Sequence, residues 1–479
     1  MLEDTDKPDE LVTAIVDLVD RWGSRLDARA LDKRKSIPPE VLAEMAEMGL
    51  FGLTLPEAHG GLGLGLDAAC AVIARLARYD RSVATTLGLH LGLGTRGLVR
   101  WGTPEQHARW IPRLATGELV AAFATTEPDA GSDLMALRTT IAASEGGLSV
   151  NGSKIFVTNG ALAHLYTISG RSPGLGGAKR GQSVVLLERS DAGFQVGPEE
   201  DKLGLRASST TTLAIEGVQV DMDRLLGVPG TAPEMLRHIL AWGRTVMAAG
   251  CCGTGAAALS AARAHTATRV QFGRTLDQLG VVREQLADMT ALLFACEALV
   301  HEVAIDEAGL EVRSLSAKVI ASEGGGELCD MALQLHGGYG YIEETGLALL
   351  VRDARITRIF EGANDVLRVH RGLFAAAGET FVVTEGPLAP LTELLATLIA
   401  DTRARLGSKL GGDHRALHQI GSIAMLRDAC EAAFARAERE GGRAHVLAAR
   451  WLSIASARAL AIRARTADPS ATDACLETP

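Results

Sequence analysis

The chain has 479 residues, 47% of them hydrophobic, 22% charged and 4% aromatic, with a formal net charge of −10. That length is too great for one hydrophobic core and implies about two to four domains. The negative balance argues against a general nucleic-acid binder, and seven cysteines without a Cys-x-x-Cys pair argue against a disulfide scaffold and for a reducing compartment.

The acidic start, Met1 to Glu10, has neither the basic nor the apolar region of a signal peptide. No run of about 18 uninterrupted apolar residues follows, so a cytoplasmic protein without a membrane span is expected. Residues 10 to 120 read as mostly helical: Leu11, Ile15, Leu18 and Val19 recur at helical spacing, as do Val41, Leu42, Met45 and Met48 after Pro38-Pro39. A glycine-rich turn, His59 to Gly63, separates two such stretches. Between about 121 and 225, short runs (Lys154 to Thr158, Leu165 to Ile168, Val184 to Leu187, Thr211 to Ile215) alternate with Gly, Ser, Asp and Pro, the pattern of an antiparallel β-domain. Helical patterning returns from about 232 to 378, Thr384 to Pro390 reads as a linker, and 391 to 467 is helical again. In that last stretch Ile423, Leu426, Cys430, Ala433 and Ala437 share a face. The expected class is mainly α with a middle β-domain, divided at 1–120, 121–231, 232–383 and 384–479.

Gly92-Leu93-Gly94-Thr95-Arg96-Gly97 matches Gly-x-Gly-x-x-Gly. A dinucleotide site needs a strand before that motif, and Ala68 to Arg78 reads as helix, so close helix packing or an opened cavity is the better reading. Phe123 to Asp133 gathers the hydroxyls of Thr125, Thr126 and Ser132 with Gly131 at the entry to the β-domain. Such a loop can aim hydroxyls and backbone N–H groups at a polar ligand edge, or simply connect helix to strand. By period-two alternation Phe156 and Thr158 share a strand face. An aromatic beside a hydroxyl suits a flat heteroaromatic ring, although a lone strand Phe is more often core. Arg269 to Arg274 set two cations around Phe272, which suits a pyrophosphate or a solvated basic turn. Gln334 to Tyr341 set Gly337, Gly338 and Gly340 beside aromatics, where backbone can approach a ligand closely. No metal-ligand spacing and no Gly-x-Ser-x-Gly elbow appears. Glu361 follows Ile359-Phe360 and precedes Gly362-Ala363, downstream of Arg352, Arg355 and Arg358. Burial would raise its pKa and make it a general base; alternatively it is a surface acid in a turn opening a helix capped by Asn364.

Taken in order, Gly52 to Glu57 with Gly60 to Gly63, Thr125 to Asp133, Lys154 to Gly160, Arg269 to Thr275, Gln334 to Tyr341 and Arg352 to Asp365 resemble the acyl-CoA dehydrogenase family over about residues 35 to 378. Each segment alone is a weak signal; their shared order is specific. The resemblance implies an N-terminal helical domain, a middle β-domain, a C-terminal four-helix bundle (232–383 here), bound FAD, and α,β-dehydrogenation of an acyl-CoA thioester. It implies that Glu361 takes the α-proton while hydride leaves the β-carbon for the flavin. The thioester oxygen would be held by the Glu361 backbone N–H and a flavin ribityl hydroxyl. It assigns Phe123, Thr125, Thr126, Ser132, Phe156 and Thr158 to the flavin, with Asp365 also on the cofactor side. Arg269, Phe272, Gln334, Gly337 and Gly338 fall on FAD contacts that the family makes across a dimer interface. Ser132, Arg244, Phe360, Gly362 and Gly88 fall on the substrate side.

Phe156 replaces a usual Trp, Ala363 a Thr, and Gly280 a common Gln. Gly243 stands where some members carry an alternative Glu base, which leaves Glu361 as the candidate. Gly88, where medium-chain members place a Glu, would deepen the pocket. That glycine and the C-terminal helical extension are similar to the very-long-chain branch, in which the extension accompanies dimers rather than tetramers and association with a membrane surface. The expected protein is thus a medium- to long-chain acyl-CoA dehydrogenase passing electrons to an electron-transfer flavoprotein, a homo-oligomer with the dimer favoured over the tetramer. Two other readings stay open: an acyl-CoA oxidase or a dehydrogenase of carrier-bound acyl groups, and a non-catalytic binding or assembly protein on the same fold.

Overall fold

The computed structural model describes residues 7–177, 181–379 and 386–467. They fall into two compact units, Met1–Thr254 with Ala348–Ile356, and Gly255–Leu347 with Thr357–Pro479.

Helix ends in the first unit follow local chemistry. α1 (Lys7–Gly23) buries Ile15, Val19 and Trp22. α2 (Ala28–Arg34) is capped by Asp27, which accepts from the Ala30 N–H at 3.0 Å, and stops at left-handed Lys35. α3 (Pro39–Glu47) starts on a proline, whose fixed φ suits the first helical turn. After α4 (Leu66–Leu76), α5 (Arg81–Leu89) is capped by Asp80 and runs through a π turn, His90–Gly94, into α6 (Arg96–Trp101). The Gly92 to Gly97 stretch is therefore helical, with Gly92 packed against Gly243. α7 (Pro104–Ala115) opens on a capping box between Thr103 and Gln106. It drives Trp110, Ile111 and Leu114 into a core with Leu93, Phe123, Leu186, Leu226 and Ile239.

Eight strands form one sheet: β1 (Ala121–Ala124), β2 (Thr140–Ser144), β3 (Gly147–Thr158), β4 (Leu165–Arg171), β5 (Gln182–Glu188), β6 (Phe194–Glu199), β7 (Thr210–Val220) and β8 (Leu225–Leu226). The order is β6-β7-β3-β2-β4-β5-β8, with β1 beside β4. Most pairs are antiparallel, as the alternation predicts, but β1 and β2 each run parallel to β4. Parallel partners need a crossover, and β2 and β3 occupy the one between β1 and β4. β4 and β5 are almost wholly buried, which explains the continuous apolar run Val184 to Leu187 in β5, while the buried hydroxyls of Thr167 and Ser169 in β4 donate to Gly94 O and Thr125 Oγ1.

α8 (Ala232–Thr268) is long and apolar enough by length and composition to cross a membrane, but 78% of its apolar window is buried within the protein, as in a core helix. In the second unit a hairpin of β9 (Val270–Gln271) and β10 (Arg274–Thr275) precedes α9 (Gly280–Ile305) and α10 (Leu310–His336). α11 (Leu347–Arg355), which apart from Leu347 belongs to the first unit, leads along the chain to the Glu361 turn, and α12 (Asn364–Ala377) packs on α10. The extension is α13 (Ala389–Leu406), α14 (His414–Glu440) and α15 (Arg443–Ala467). Of the expected linker, Thr384 and Glu385 lie outside the described residues, while Ala389 and Pro390 already open α13. α14 lies against α9, α10, α12 and α15, burying the predicted face from Ile423 to Ala437. Cys70, Cys251, Cys252, Cys296, Cys329 and Cys430 are all buried; Cys475 lies outside the described residues.

α12 and α14 touch backbone to backbone. A Cβ on Gly372 would stand 1.9 Å from Leu417 O, and one on Gly421 1.9 Å from Arg368 O. Gly421→Ala is expected to destabilise the protein by about 1–3 kcal/mol through overpacking. A urea midpoint equal to that of wild type would contradict this contact.

Candidate active site

In the first unit, β1 delivers Phe123, which is buried, to the turn carrying Thr125 and Thr126. A buried ion pair sets that turn. Glu127 accepts from Lys154 Nζ at 2.8 Å and from the backbone N–H groups of Arg138 and Thr139 at 2.6 and 3.0 Å. Lys154 Nζ also donates to Thr125 O at 3.0 Å, and both charged side chains are almost fully enclosed. Burial alone would raise the Glu127 carboxyl, but the bonds from Lys154, Thr139 and Arg138 hold it below its ordinary value. Burial pushes the Lys154 ammonium down to about 8, with Glu127 opposing the fall. The Thr126 carbonyl accepts from the Ile155 N–H at 3.0 Å, and Ser169 donates to Thr125 Oγ1 at 2.9 Å. Thr126 is half-buried and Ser132 exposed. Sequence reasoning missed the role of Glu127 and Lys154, although both sit inside quoted motifs; the available signal was a lone Lys beside the apolar run Ile155 to Val157 and a lone acid just after β1.

Phe156 and Thr158 do not follow simple alternation. The β3–β7 register slips between Lys154 and Val157, a bulge, and Phe156 takes φ +56° with 64% of its surface exposed. Bulges re-aim side chains. Thr158 stays paired with Thr210 and is half-buried. Asn159, also at positive φ, donates to Thr86 O at 2.9 Å and Ala121 O at 3.3 Å, tying the end of β3 to α5 and β1. Arg244 is half-buried on α8. Gly88 faces the same helix closely: a Cβ would stand 3.2 Å from Val246 Cγ1 and 3.6 Å from Ile73 Cδ1.

In the second unit, Glu361 sits at φ +55° and Gly362 at +101°. Left-handed backbone costs a non-glycine residue about 1–3 kcal/mol and persists only where surroundings impose it. Phe360, Glu361 and Gly362 are half-buried. Asn364 is not the N-cap: α12 begins at Asn364 itself with Ala363 in the cap position. The Asn364 side chain turns to α10, where its amide donates to Ser322 Oγ at 3.1 Å and Glu323 Oε1 at 2.9 Å. Asp365 is exposed and pairs with Arg368 at 3.4 Å and His418 at 3.1 Å.

A cavity of about 480 Å³ in this unit is lined by Arg269, Gln334, Gly337 and Gly338 together with His265, His336 and Tyr339. Arg269 lies over the Tyr339 ring at 5.7 Å, and the imidazoles of His265 and His336 stack at 4.1 Å. Burial, then His336 and Arg269, hold His265 below its ordinary pKa. At Gly337 and Gly338 a Cβ would meet nothing within 4 Å, so side chains there would take up ligand space. A guanidinium, an amide and a side-chain-free backbone suit a phosphate or pyrophosphate. Phe272 does not line this cavity. It sits with Gly273 at the hairpin tip, both at positive φ as a two-residue turn requires, and is 88% exposed.

Three family models match the chain in order: the N-terminal domain of acyl-CoA dehydrogenase over residues 9–118, the middle domain over 122–218 and the C-terminal domain over 234–372. The very-long-chain specific acyl-CoA dehydrogenase of Bos taurus is 34% identical over 353 residues, 72% of this chain and 54% of that one, so the chain spans about half the length of such relatives. An acyl-CoA dehydrogenase of Bacillus subtilis is 36% identical over 71% of this chain and 91% of its own length. The structure of an acyl-CoA dehydrogenase complexed with FAD from Bacillus anthracis superposes with a TM-score of 0.84 at 26% identity, covering 96% of this chain and 88% of that one, and thus reaches into the C-terminal helices. With three domain models laid end to end and a relative matched along 91% of its length, the chain belongs to the acyl-CoA dehydrogenase family.

Proposed function

We propose that this protein uses FAD to dehydrogenate medium- to long-chain acyl-CoA thioesters to trans-2-enoyl-CoA, with electrons passing to an electron-transfer flavoprotein. The observation that carries the reading is Glu361, a carboxylate held at φ +55° before a left-handed glycine, with Gly243 in place of the alternative base. FAD, when bound, supplies the hydride acceptor. The residues present fit it: the Lys154–Glu127 pair fixes the Thr125-Thr126 turn, Phe156 is exposed beside a bulge, and Arg269, Gln334, Gly337 and Gly338 line one cavity. Glu361 takes the α-proton, its carboxylate made more basic as substrate excludes water. Its backbone N–H donates to the thioester oxygen and stabilises the developing negative charge. The exposed Phe272 beside the Arg269 cavity supports a homodimer that covers this face.

The test is turnover with acyl-CoAs of increasing chain length, following electron-transfer-flavoprotein reduction and oxygen consumption in parallel. Activity rising toward long chains with the flavoprotein as acceptor is expected. Oxygen consumption matching product would replace the acceptor assignment with an oxidase, and protein that stays colourless with added FAD would overturn the enzyme reading.

A further inference from the structure

One face of α10 grips the turn that carries Glu361. Lys318 is fully buried, and its ammonium donates to Gly362 O at 2.8 Å and to Asn364 Oδ1 at 2.7 Å. One turn further on, Ser322 and Glu323 accept from the amide of Asn364. Arg368 closes on Glu323 with Nη2 at 2.7 and 2.6 Å from its two carboxylate oxygens, and Arg358 Nη2 reaches Glu323 O at 3.5 Å. Both acceptors of Lys318, at Gly362 and Asn364, lie within three residues of Glu361 on its C-terminal side, and Gly362 itself is left-handed.

We propose that Lys318 is a positioning residue for Glu361. By holding the Gly362 carbonyl and the Asn364 side chain at once, it fixes the peptide after Glu361 and keeps the carboxylate and the Glu361 N–H aimed together. A tetrahedral ammonium serves two neighbouring oxygens from one point, which a thioether or hydrocarbon side chain of similar length cannot do. An ionised donor makes each bond stronger than a neutral one would be. The proposal rests on Glu361 being the base.

The experiment compares Lys318→Met, Asn364→Ala and Glu361→Gln as FAD-loaded full-length proteins. It measures kcat, binding of a non-oxidisable acyl-CoA analogue, flavin content, and enzyme-catalysed exchange of the analogue's α-protons with deuterated solvent. Lys318→Met is expected to lose about 10- to 100-fold in kcat and in exchange, since displacement by about 1 Å can cost 10²-fold. Analogue affinity and flavin content should stay at wild-type values. Wild-type kcat in Lys318→Met, or a loss no larger than its loss of flavin, overturns the proposal. If Lys318→Met does not fold, Asn364→Ala is read in the same way, and unchanged exchange there overturns it too. An inactive Glu361→Gln beside a fully active Lys318→Met sinks the clamp alone, whereas an active Glu361→Gln sinks the base assignment beneath it.

Discussion

Glu361→Gln is expected to remain folded and yellow with bound FAD while its turnover falls by about 10²–10⁴-fold, the usual worth of a positioned general base. Glutamine keeps the shape and the backbone N–H of the turn but cannot accept the α-proton. The left-handed conformation at residue 361 suits either side chain equally, because the strain lies in the backbone. Gly243 carries no carboxylate where the family resemblance puts an alternative base, so no rescue from that position is expected. Steady-state turnover, with flavin content measured on the same preparation, checks this. Activity within about threefold of wild type would show that another group does the work attributed to Glu361.

The second large effect concerns stability. Arg371 is 1% exposed and binds Asp428 through two nitrogens, at 3.0 and 3.1 Å, while also bonding Glu379. Ser316 donates to the same Asp428 carboxylate. This network joins α10, α12 and α14. Removing the guanidinium leaves a buried carboxylate without its cation, so Arg371→Ala should cost about 3–5 kcal/mol. Burial by itself would raise the Asp428 carboxyl, but Arg371 and Ser316 hold it below its ordinary value. Its contribution is therefore complete above the unfolded carboxyl pKa and is lost as pH falls through the folded one. In Arg371→Ala the sign reverses: Asp428 becomes easier to protonate, and the deficit against wild type should shrink from pH 7 to pH 5. Urea denaturation at the two values measures it. A deficit that is constant or grows on acidification would show that the cost is lost packing rather than an unpaired charge.

The sequence carried the order of helical and β domains, which the fold and the three family models share. Runs such as Val184 to Leu187 and the face from Ile423 to Ala437 are governed by burial, which patterning reports directly. The same motifs supplied Glu361, Phe156 and the Arg269 and Gly337 segments. Conformation at those points was not legible. The bulge beside Phe156 depends on pairing with β7, about fifty residues later, so local alternation could not show its positive φ or its exposure. Asn364 looks like a helix cap because its local sequence permits one; its amide is instead claimed by α10. A lone Lys318 among Ala317, Val319, Ile320 and Ala321 was a visible anomaly, but its partners lie 44 and 46 residues away. Gly88 was read as an opened pocket, and the structure adds that Val246 and Ile73 stand directly against it.

The most direct test of the central claim is anaerobic mixing of the FAD-loaded protein with a long-chain acyl-CoA while the flavin absorbance is followed. Proton abstraction by Glu361 and hydride loss from the same substrate are expected to bleach the wild-type flavin, and Glu361→Gln is expected to bind the thioester yet keep its colour over the same interval. Bleaching of Glu361→Gln at the wild-type rate would contradict the account.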